Sequence, residues 1–327
     1  MSQPLKAAVI GVGYLGYFHC QKYQALDGVE LVGIADSDPA RLAEVAEKLG
    51  GVTAVADYRE LLPQLDVVSI VTPPDRHFTI ARDCIAAGLH VLVEKPVTST
   101  VEEAQILIEA AGEGGLIFQV GHLERFNPAV GALRREVTAA DFIEARRTSP
   151  QKQRGLEVDV VLDLMIHDID IICTLVGQEV TEIEATGRCV ATADIDVADA
   201  RLSFDGGCVA ELHASRVAEQ ADRRTYVHQA GSYVTVDYMH HTLLTGALGE
   251  DGQRHEHDEV CFENPDAESR DALKAEIRGF LAAVANRASP LVTGEDGRRA
   301  LEIAIEISRR IKAHPDFGAE RVVPLRS

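Results

Sequence analysis

Leu5-Lys6-Ala7-Ala8-Val9-Ile10-Gly11-Val12-Gly13-Tyr14-Leu15-Gly16 carries a short apolar run of β character straight into a glycine turn. A helical stretch, Tyr17 to Leu26, follows the turn. A second apolar run, Val29 to Ala35, ends at Asp36, which lies 20 residues beyond Gly16. The order is strand, glycine turn, helix, strand, acid. That order and spacing are those of a βαβ unit that holds a dinucleotide.

Each part of the unit has a physical task. Gly11 permits the tight turn. Gly13, lacking a side chain, lets a pyrophosphate approach the backbone. Gly16 lets helix and strand pack closely. The helix N-terminus offers unpaired N–H groups and a partial positive charge to phosphate oxygens. Asp36 is placed to hold the adenosine ribose and would repel a 2′-phosphate, so NAD is expected rather than NADP. The plain alternative is a glycine turn in an ordinary α/β unit.

Composition sets outer bounds. A chain of 327 residues is long enough for two domains. The net charge of −20 argues against nucleic acid and anionic membranes as partners. The six cysteines, Cys20, Cys84, Cys173, Cys189, Cys208 and Cys261, are scattered without a CxxC pair, as in a reducing compartment. The N-terminus lacks a signal-peptide apolar region, and no segment reaches the ~18 apolar residues of a membrane span. A cytoplasmic protein without a membrane partner is expected.

Strand and helix continue to alternate beyond Asp36. Strands are predicted at 52–55, 66–71, 90–93 and 116–120. Helices are predicted at 38–49, 75–87 and 99–111, the last with Thr98, Ser99 and Glu102 as capping signals. Six such strands make a doubly wound, mainly parallel Rossmann sheet in a domain of residues 1–120. Residues 121–327 read differently. A helix starts at Asn127-Pro128, another runs from Asp159 to Val176, and β runs follow at 181–190, 198–204, 208–215, 225–229 and 233–238. Asp205-Gly206-Gly207 signals a hairpin. Helices at 269–287 and 295–313 close the chain. This half is expected to be an α/β domain with a large, mainly antiparallel open sheet that binds substrate and supports assembly.

Several residues could carry chemistry. Glu94-Lys95-Pro96 ends the fifth strand, where ligands of open α/β sheets bind. A lysine there can stabilise a developing alkoxide; a solvated lysine paired with Glu94 is the alternative. Thr72-Pro73-Pro74-Asp75-Arg76-His77 follows the fourth strand, and its backbone is placed to pass along the cofactor. Asp163 and His167 are four apart and share a helix face with Asp159. Polar groups on so apolar a helix need partners or a task. A histidine with an ordinary pKa near ~6.5 suits taking a proton from an alcohol, although a satisfied core histidine would look the same. His167, Asp168 and Asp170 lack the spacing of a catalytic metal site, and no metal is expected. From Arg125 to Arg154 seven basic residues face three acidic ones. That suggests an anionic substrate such as a diphosphate; an exposed Arg134-Arg135 pair and a charged edge strand would also explain it. His240, His241, His255 and His257 read as exposed.

Together, Gly-x-Gly-x-x-Gly, Thr72-Pro73, Glu94-Lys95-Pro96 and Asp163-x-x-x-His167, in this order, resemble the glucose–fructose oxidoreductase/inositol dehydrogenase (Gfo/Idh/MocA) family over essentially the whole chain. The resemblance implies hydride exchange between a nicotinamide and a carbinol carbon of a sugar or polyol. Lys95, Asp163 and His167 match the family's catalytic lysine, aspartate and histidine. Gly11, Gly13, Tyr14, Leu15, Gly16, Asp36, Thr72, Pro73, His77, Glu94 and Lys95 would line the NAD site. A Gly-Gly pair common before the aspartate is absent here. The stretch Gly121-His-Leu-Glu-Arg-Phe-Asn-Pro-Ala129 resembles the branch that oxidises the C3 hydroxyl of UDP-N-acetylglucosamine, feeding synthesis of a 2,3-diamino sugar for lipid A. His122, Glu124, Arg125, Asn127, Arg154, Asp163 and His167 are then the expected substrate contacts. A homodimer or homotetramer is expected. The alternatives are a dehydrogenase of another sugar, polyol or uronic-acid nucleotide sugar, and a non-catalytic dinucleotide sensor.

Overall fold

Strands β1 (Leu5–Ile10), β2 (Val29–Ala35), β3 (Thr53–Val55), β4 (Val67–Ile70), β5 (His90–Glu94) and β6 (Phe118–Gly121) form one parallel sheet in the order β3-β2-β1-β4-β5-β6. The computed structural model describes residues 3–151, 158–248, 254–261, 271–315 and 317. All four residues of β4 are buried, and so are the last four of β1 and of β5. Apolar burial on both faces is what a parallel sheet flanked by helices requires. The connecting helices are α1 (Tyr14–Gln24), α2 (Pro39–Leu49), α3 (Pro74–Ala86) and α4 (Val101–Glu113). Asp38 caps α2, with Pro39 at its first position. The cap of α4 is Thr100 with Glu103, one residue later than Ser99 and Glu102 suggested. The Thr100–Glu103 pair meets both backbone N–H groups, so it wins over its neighbours.

The chain divides into two compact units, Met1–Leu123 with Asp271–Arg298, and Glu124–Arg270 with Arg299–Ser327. A division at 120/121 therefore leaves out a return of the chain to the first unit. The returning segment holds α7 (Ala272–Asn286), whose Leu273, Ile277, Phe280 and Val284 pack with Ala7, Val9, Cys20 and Tyr23.

The second unit carries α5 (Pro128–Glu136), β7 (Ala140–Thr148), α6 (Ile166–Val176), β8 (Val180–Arg188), β9 (Val197–Phe204), β10 (Val209–Ser215), β11 (Asp222–Gln229), β12 (Ser232–Asp237), β13 (Thr242–Leu248) and β14 (Arg254–Cys261). Its sheet has eight strands in the order β14-β13-β12-β11-β7-β10-β9-β8. The pairs are antiparallel except β7 with β10. β7 lies inside the sheet, so the basic stretch is not an edge strand. Its Arg147 is buried because it is paired with carboxylates, as described below. The hairpin at Asp205-Gly206-Gly207 joins β9 to β10, with Gly207 at φ +89°. α8 (Gly294–Ala313) supplies Ala300, Ile303, Ala304, Ile307 and Ile311 to the core of this unit.

Candidate active site

The glycine turn is sterically determined. A Cβ on Gly11 (φ +87°) would stand 2.6 Å from the Val71 carbonyl oxygen, and one on Gly16 would stand 1.9 Å from the Gly11 carbonyl oxygen. Neither position can carry a side chain. A Cβ on Gly13 would meet nothing within 4 Å. The backbone at Gly13 is therefore open to approach from outside. α1 has no side-chain cap and no acid in its first turn, whereas α2 and α4 are capped. Its N-terminal N–H groups thus have no capping side chain of the kind those two helices have, and helix N-termini attract anions. Tyr14 is exposed beside them, and Leu15 is half-buried.

Asp36 reaches back to this turn. Its Oδ2 accepts the Val12 N–H (2.8 Å) and its Oδ1 accepts the Asp38 N–H (2.9 Å). A carboxylate has about four acceptor sites, so capacity remains for ribose hydroxyls. Arg41, absent from the sequence-derived set, donates to the carbonyls of Val12 (2.8 Å) and Gly13 (2.9 Å) and so clamps the same turn. Its position on the first turn of α2, five residues beyond Asp36, was the available signal.

Gly11–Gly16, Asp36, Thr72, Pro73 and Lys95 all fall at or just past the carboxyl ends of β1, β2, β4 and β5, hence on one edge of the sheet. His77 differs from its expected role. Its ring is fully buried, with Nδ1 2.8 Å from the Pro96 carbonyl oxygen and Nε2 2.8 Å from that of Thr72. It braces the two loops instead of facing a ligand. Glu94 is also buried: His19 Nε2 is 3.1 Å from its Oε1, and the Lys95 N–H is 3.4 Å from its Oε2. Gly121 makes room for it, since a Cβ there would stand 2.9 Å from the Glu94 carboxyl. The Lys95–Pro96 peptide bond is cis.

In the second unit Asp163 lies in a π-helical turn, Val161–Met165, that leads directly into α6. Such turns shift side chains relative to a regular helix and recur at functional sites. Asp163 and His167 are half-buried, while Asp159, Asp168 and Asp170 are buried. Asp159 does not share their stripe. It caps the turn through the Val161 and Leu162 N–H groups (both 3.1 Å) and pairs with Lys312 (3.2 Å).

Two of the seven basic residues, Arg125 and Arg147, are spent inside the unit, while Arg134, Arg135 and Arg146 are exposed. Arg147 forks onto Asp168 (2.9 and 2.8 Å) and also reaches Glu124 (2.9 Å), which pairs further with Arg223 (3.1 Å). Burial opposes the charge on Arg147, yet Asp168 and Glu124 outweigh it and hold its pKa above the usual arginine value. Burial alone would raise Glu124, but Arg147 and Arg223 hold it below the usual carboxylate range. Arg125 bonds Asp170 (3.1 Å) and Thr174. Asn127 caps α5, donates to the Tyr238 carbonyl (3.1 Å) and meets His241. These residues are supports rather than open sugar contacts, and His122, in the first unit, is buried as well. Arg154 lies outside the described residues. His240 is exposed, while His241 is half-buried against Asn127. The side chains of His255 and His257 lie outside the described set.

Comparison with known proteins agrees over both halves. Residues 5–122 match the oxidoreductase family model with an NAD-binding Rossmann fold, and residues 134–233 match the GFO/IDH/MocA C-terminal domain. The chain is 39% identical to a UDP-N-acetylglucosamine 3-dehydrogenase of Acidithiobacillus ferrooxidans, over 94% of this chain and 98% of that protein. A solved structure of a protein of that name from the same organism superposes with a TM-score of 0.86 at 38% identity, covering 95% of this chain and 99% of that one. A scyllo-inositol 2-dehydrogenase (NAD(+)) of Bacillus subtilis is 29% identical over 93% of each chain.

Proposed function

The chain belongs to the GFO/IDH/MocA oxidoreductase family, and from that membership we propose that it oxidises the C3 hydroxyl of UDP-N-acetylglucosamine with NAD. The observation that carries the choice of substrate is the likeness to the A. ferrooxidans dehydrogenase along nearly the whole of both chains. The Gly121–Ala129 stretch supports the same choice.

The residues divide the work. The uncapped start of α1 and the bare backbone at Gly13 hold the pyrophosphate, and Asp36 holds the adenosine ribose. NAD, when bound, supplies the nicotinamide that accepts a hydride. Lys95 donates a hydrogen bond to the reacting oxygen and stabilises its alkoxide character. His167 accepts the hydroxyl proton. Asp163 holds a neighbouring hydroxyl and the orientation of His167. The product is the 3-keto nucleotide sugar, a substrate for amination toward a 2,3-diamino sugar of lipid A. Glu124, Arg125 and Asn127 support the second unit's residues from within that unit. A cytoplasmic homodimer or homotetramer completes the proposal.

The test is NADH formation by the purified protein with UDP-N-acetylglucosamine, myo-inositol or glucose, with a ketone trap to pull the equilibrium. Turnover with the UDP-sugar alone is expected. Turnover with a free polyol alone would keep the enzyme class and replace the substrate. NAD binding without turnover on any sugar would favour a dinucleotide sensor.

A further inference from the structure

Behind the Glu94–Lys95 strand end lies a cluster with no part in the chemistry above. Glu276, on α7, is 0% exposed, as is His19 on α1, and Glu94 is 8% exposed. One ring nitrogen of His19 and one carboxyl oxygen from each glutamate lie within 4.8 Å of one another. Neither carboxyl oxygen of Glu276 has a hydrogen-bond partner among the described residues. The neighbours are mostly acceptors. Gln119 on β6 spends its amide N–H on the Glu276 backbone carbonyl (3.4 Å), and its Oε1 has no donor. Glu94 already takes His19 Nε2 on one oxygen and the Lys95 N–H on the other.

Among the described residues, the other titratable groups that α1 brings to α7 do not supply a cation. On α1, Tyr23 is bonded to Ser69 (2.8 Å), Cys20 is a buried thiol, and Lys22 is paired with Asp271 (2.6 Å). A second ionised carboxylate beside Glu94, away from water and without a donor, is costly in a low-dielectric site. Binding a proton removes that cost.

We propose that Glu276 is a positioning residue that sits in this cluster as the uncharged carboxylic acid. It supplies the donor the cluster lacks, and Glu94 thereby stays the carboxylate that faces His19 and the Lys95 N–H. Burial, with Glu94 adding to it, pushes the Glu276 pKa well above the ordinary 4.5. The consequence for turnover rests on the role given to Lys95 above; the protonation state does not.

Three measurements on the whole protein test it. Infrared difference spectra at neutral pH should show the C=O band of a protonated carboxylic acid, lost in Glu276→Gln. Thermal unfolding should show a pH signature. The folded acid holds its proton while the unfolded one releases it near 4.5, so the wild type loses stability as pH rises above that value. Glu276→Gln, a neutral donor and acceptor, escapes this loss, and its melting temperature should exceed the wild type's by a margin that widens with pH. Finally, Glu276→Ala should lower kcat about tenfold or more with NAD affinity little changed, and Glu276→Gln should restore it. No acid band, together with Glu276→Gln less stable at every pH, would overturn the proposal. So would stoichiometric divalent metal on elemental analysis whose chelation lowers the melting temperature, because Glu276 would then be an ionised ligand. The first two measurements need no sugar substrate, so failure of the proposed reaction is told apart from failure of this assignment.

Discussion

The carboxylate of Asp36, one residue past the end of β2, accepts the Val12 N–H of the glycine turn at 2.8 Å. One acid thereby fixes the turn and remains available to ribose. Removing it costs both. Hydrogen bonds to a charged group contribute about 1.5–3 kcal/mol, so Asp36→Ala should weaken NAD about 10–100-fold. It should also narrow the preference over NADP, because the charge that repels a 2′-phosphate is gone. Titration of both cofactors by nicotinamide fluorescence checks this, and an unchanged preference would remove Asp36 from its role.

Gly13→Ala and Gly16→Ala separate two kinds of glycine. At Gly16 the new methyl would stand 1.9 Å from a backbone oxygen, so the turn itself must move. At Gly13 there is no protein atom within 4 Å. Gly16→Ala should lower both the melting temperature and NAD affinity. Gly13→Ala should leave stability near wild type, within about 1 kcal/mol, and lower NAD affinity alone. Equal loss of stability in both would mean that Gly13 is bare for the protein's sake.

Lys95→Ala and His167→Ala should each lose turnover by about 10²-fold or more, the usual range for an acid–base group. NAD binding should survive in both. In His167→Ala the loss should be largest at neutral pH and shrink as hydroxide takes over proton removal. Stopped-flow assays with separate NAD titrations distinguish this from misfolding. Normal turnover in both variants would reject the mechanism.

Arg147, at 1% exposure, is held by Asp168 and Glu124. Breaking a buried ion pair by removing one partner costs about 3–5 kcal/mol, so Arg147→Ala should sharply lower the urea midpoint. Arg146→Ala, on the exposed side of the same strand, should change it by less than about 1 kcal/mol. Similar small losses in both would mean the network is not closed in solution.

Asp196 accepts N–H groups from Val190, Ala191 and Thr192 and pairs with Arg216 (2.8 Å). Burial alone would raise its pKa, but these donors outweigh it and lower it from 3.8 to about 2. The stability it contributes is therefore present above 3.8 and lost as pH falls toward about 2. The stability gap between wild type and Asp196→Asn should close over that acid range. A gap independent of pH would contradict the assignment.

The parallel sheet was legible because its strands are buried on both faces and punctuated by glycine and proline, as at Gly88 and Pro96. Lys95, Asp163 and His167, the catalytic set proposed above, stand out in the sequence as spaced motifs. Four features were not legible. The return of α7 to the first unit cannot be read from an amphipathic helix, which says that one face is buried but not against what. The π turn at Val161–Met165 leaves no mark in a run that is apolar either way. The internal pairing of two residues in the basic stretch was not legible, because charge counts take no account of pairing: Arg125 and Arg147 find Asp170 and Asp168 more than twenty residues away. β13 and β14 were missed because Thr242–Leu248 and Arg254–Cys261 lack clean two-residue alternation.

The central claim is a hydride taken from sugar C3. UDP-N-acetylglucosamine deuterated at C3, incubated with NAD, the purified protein and a ketone trap, tests it most directly. The account predicts reduced cofactor carrying the deuterium and a slower rate than with unlabelled sugar. Unlabelled NADH with the label retained on the sugar, or no reduction of NAD at all, would contradict it.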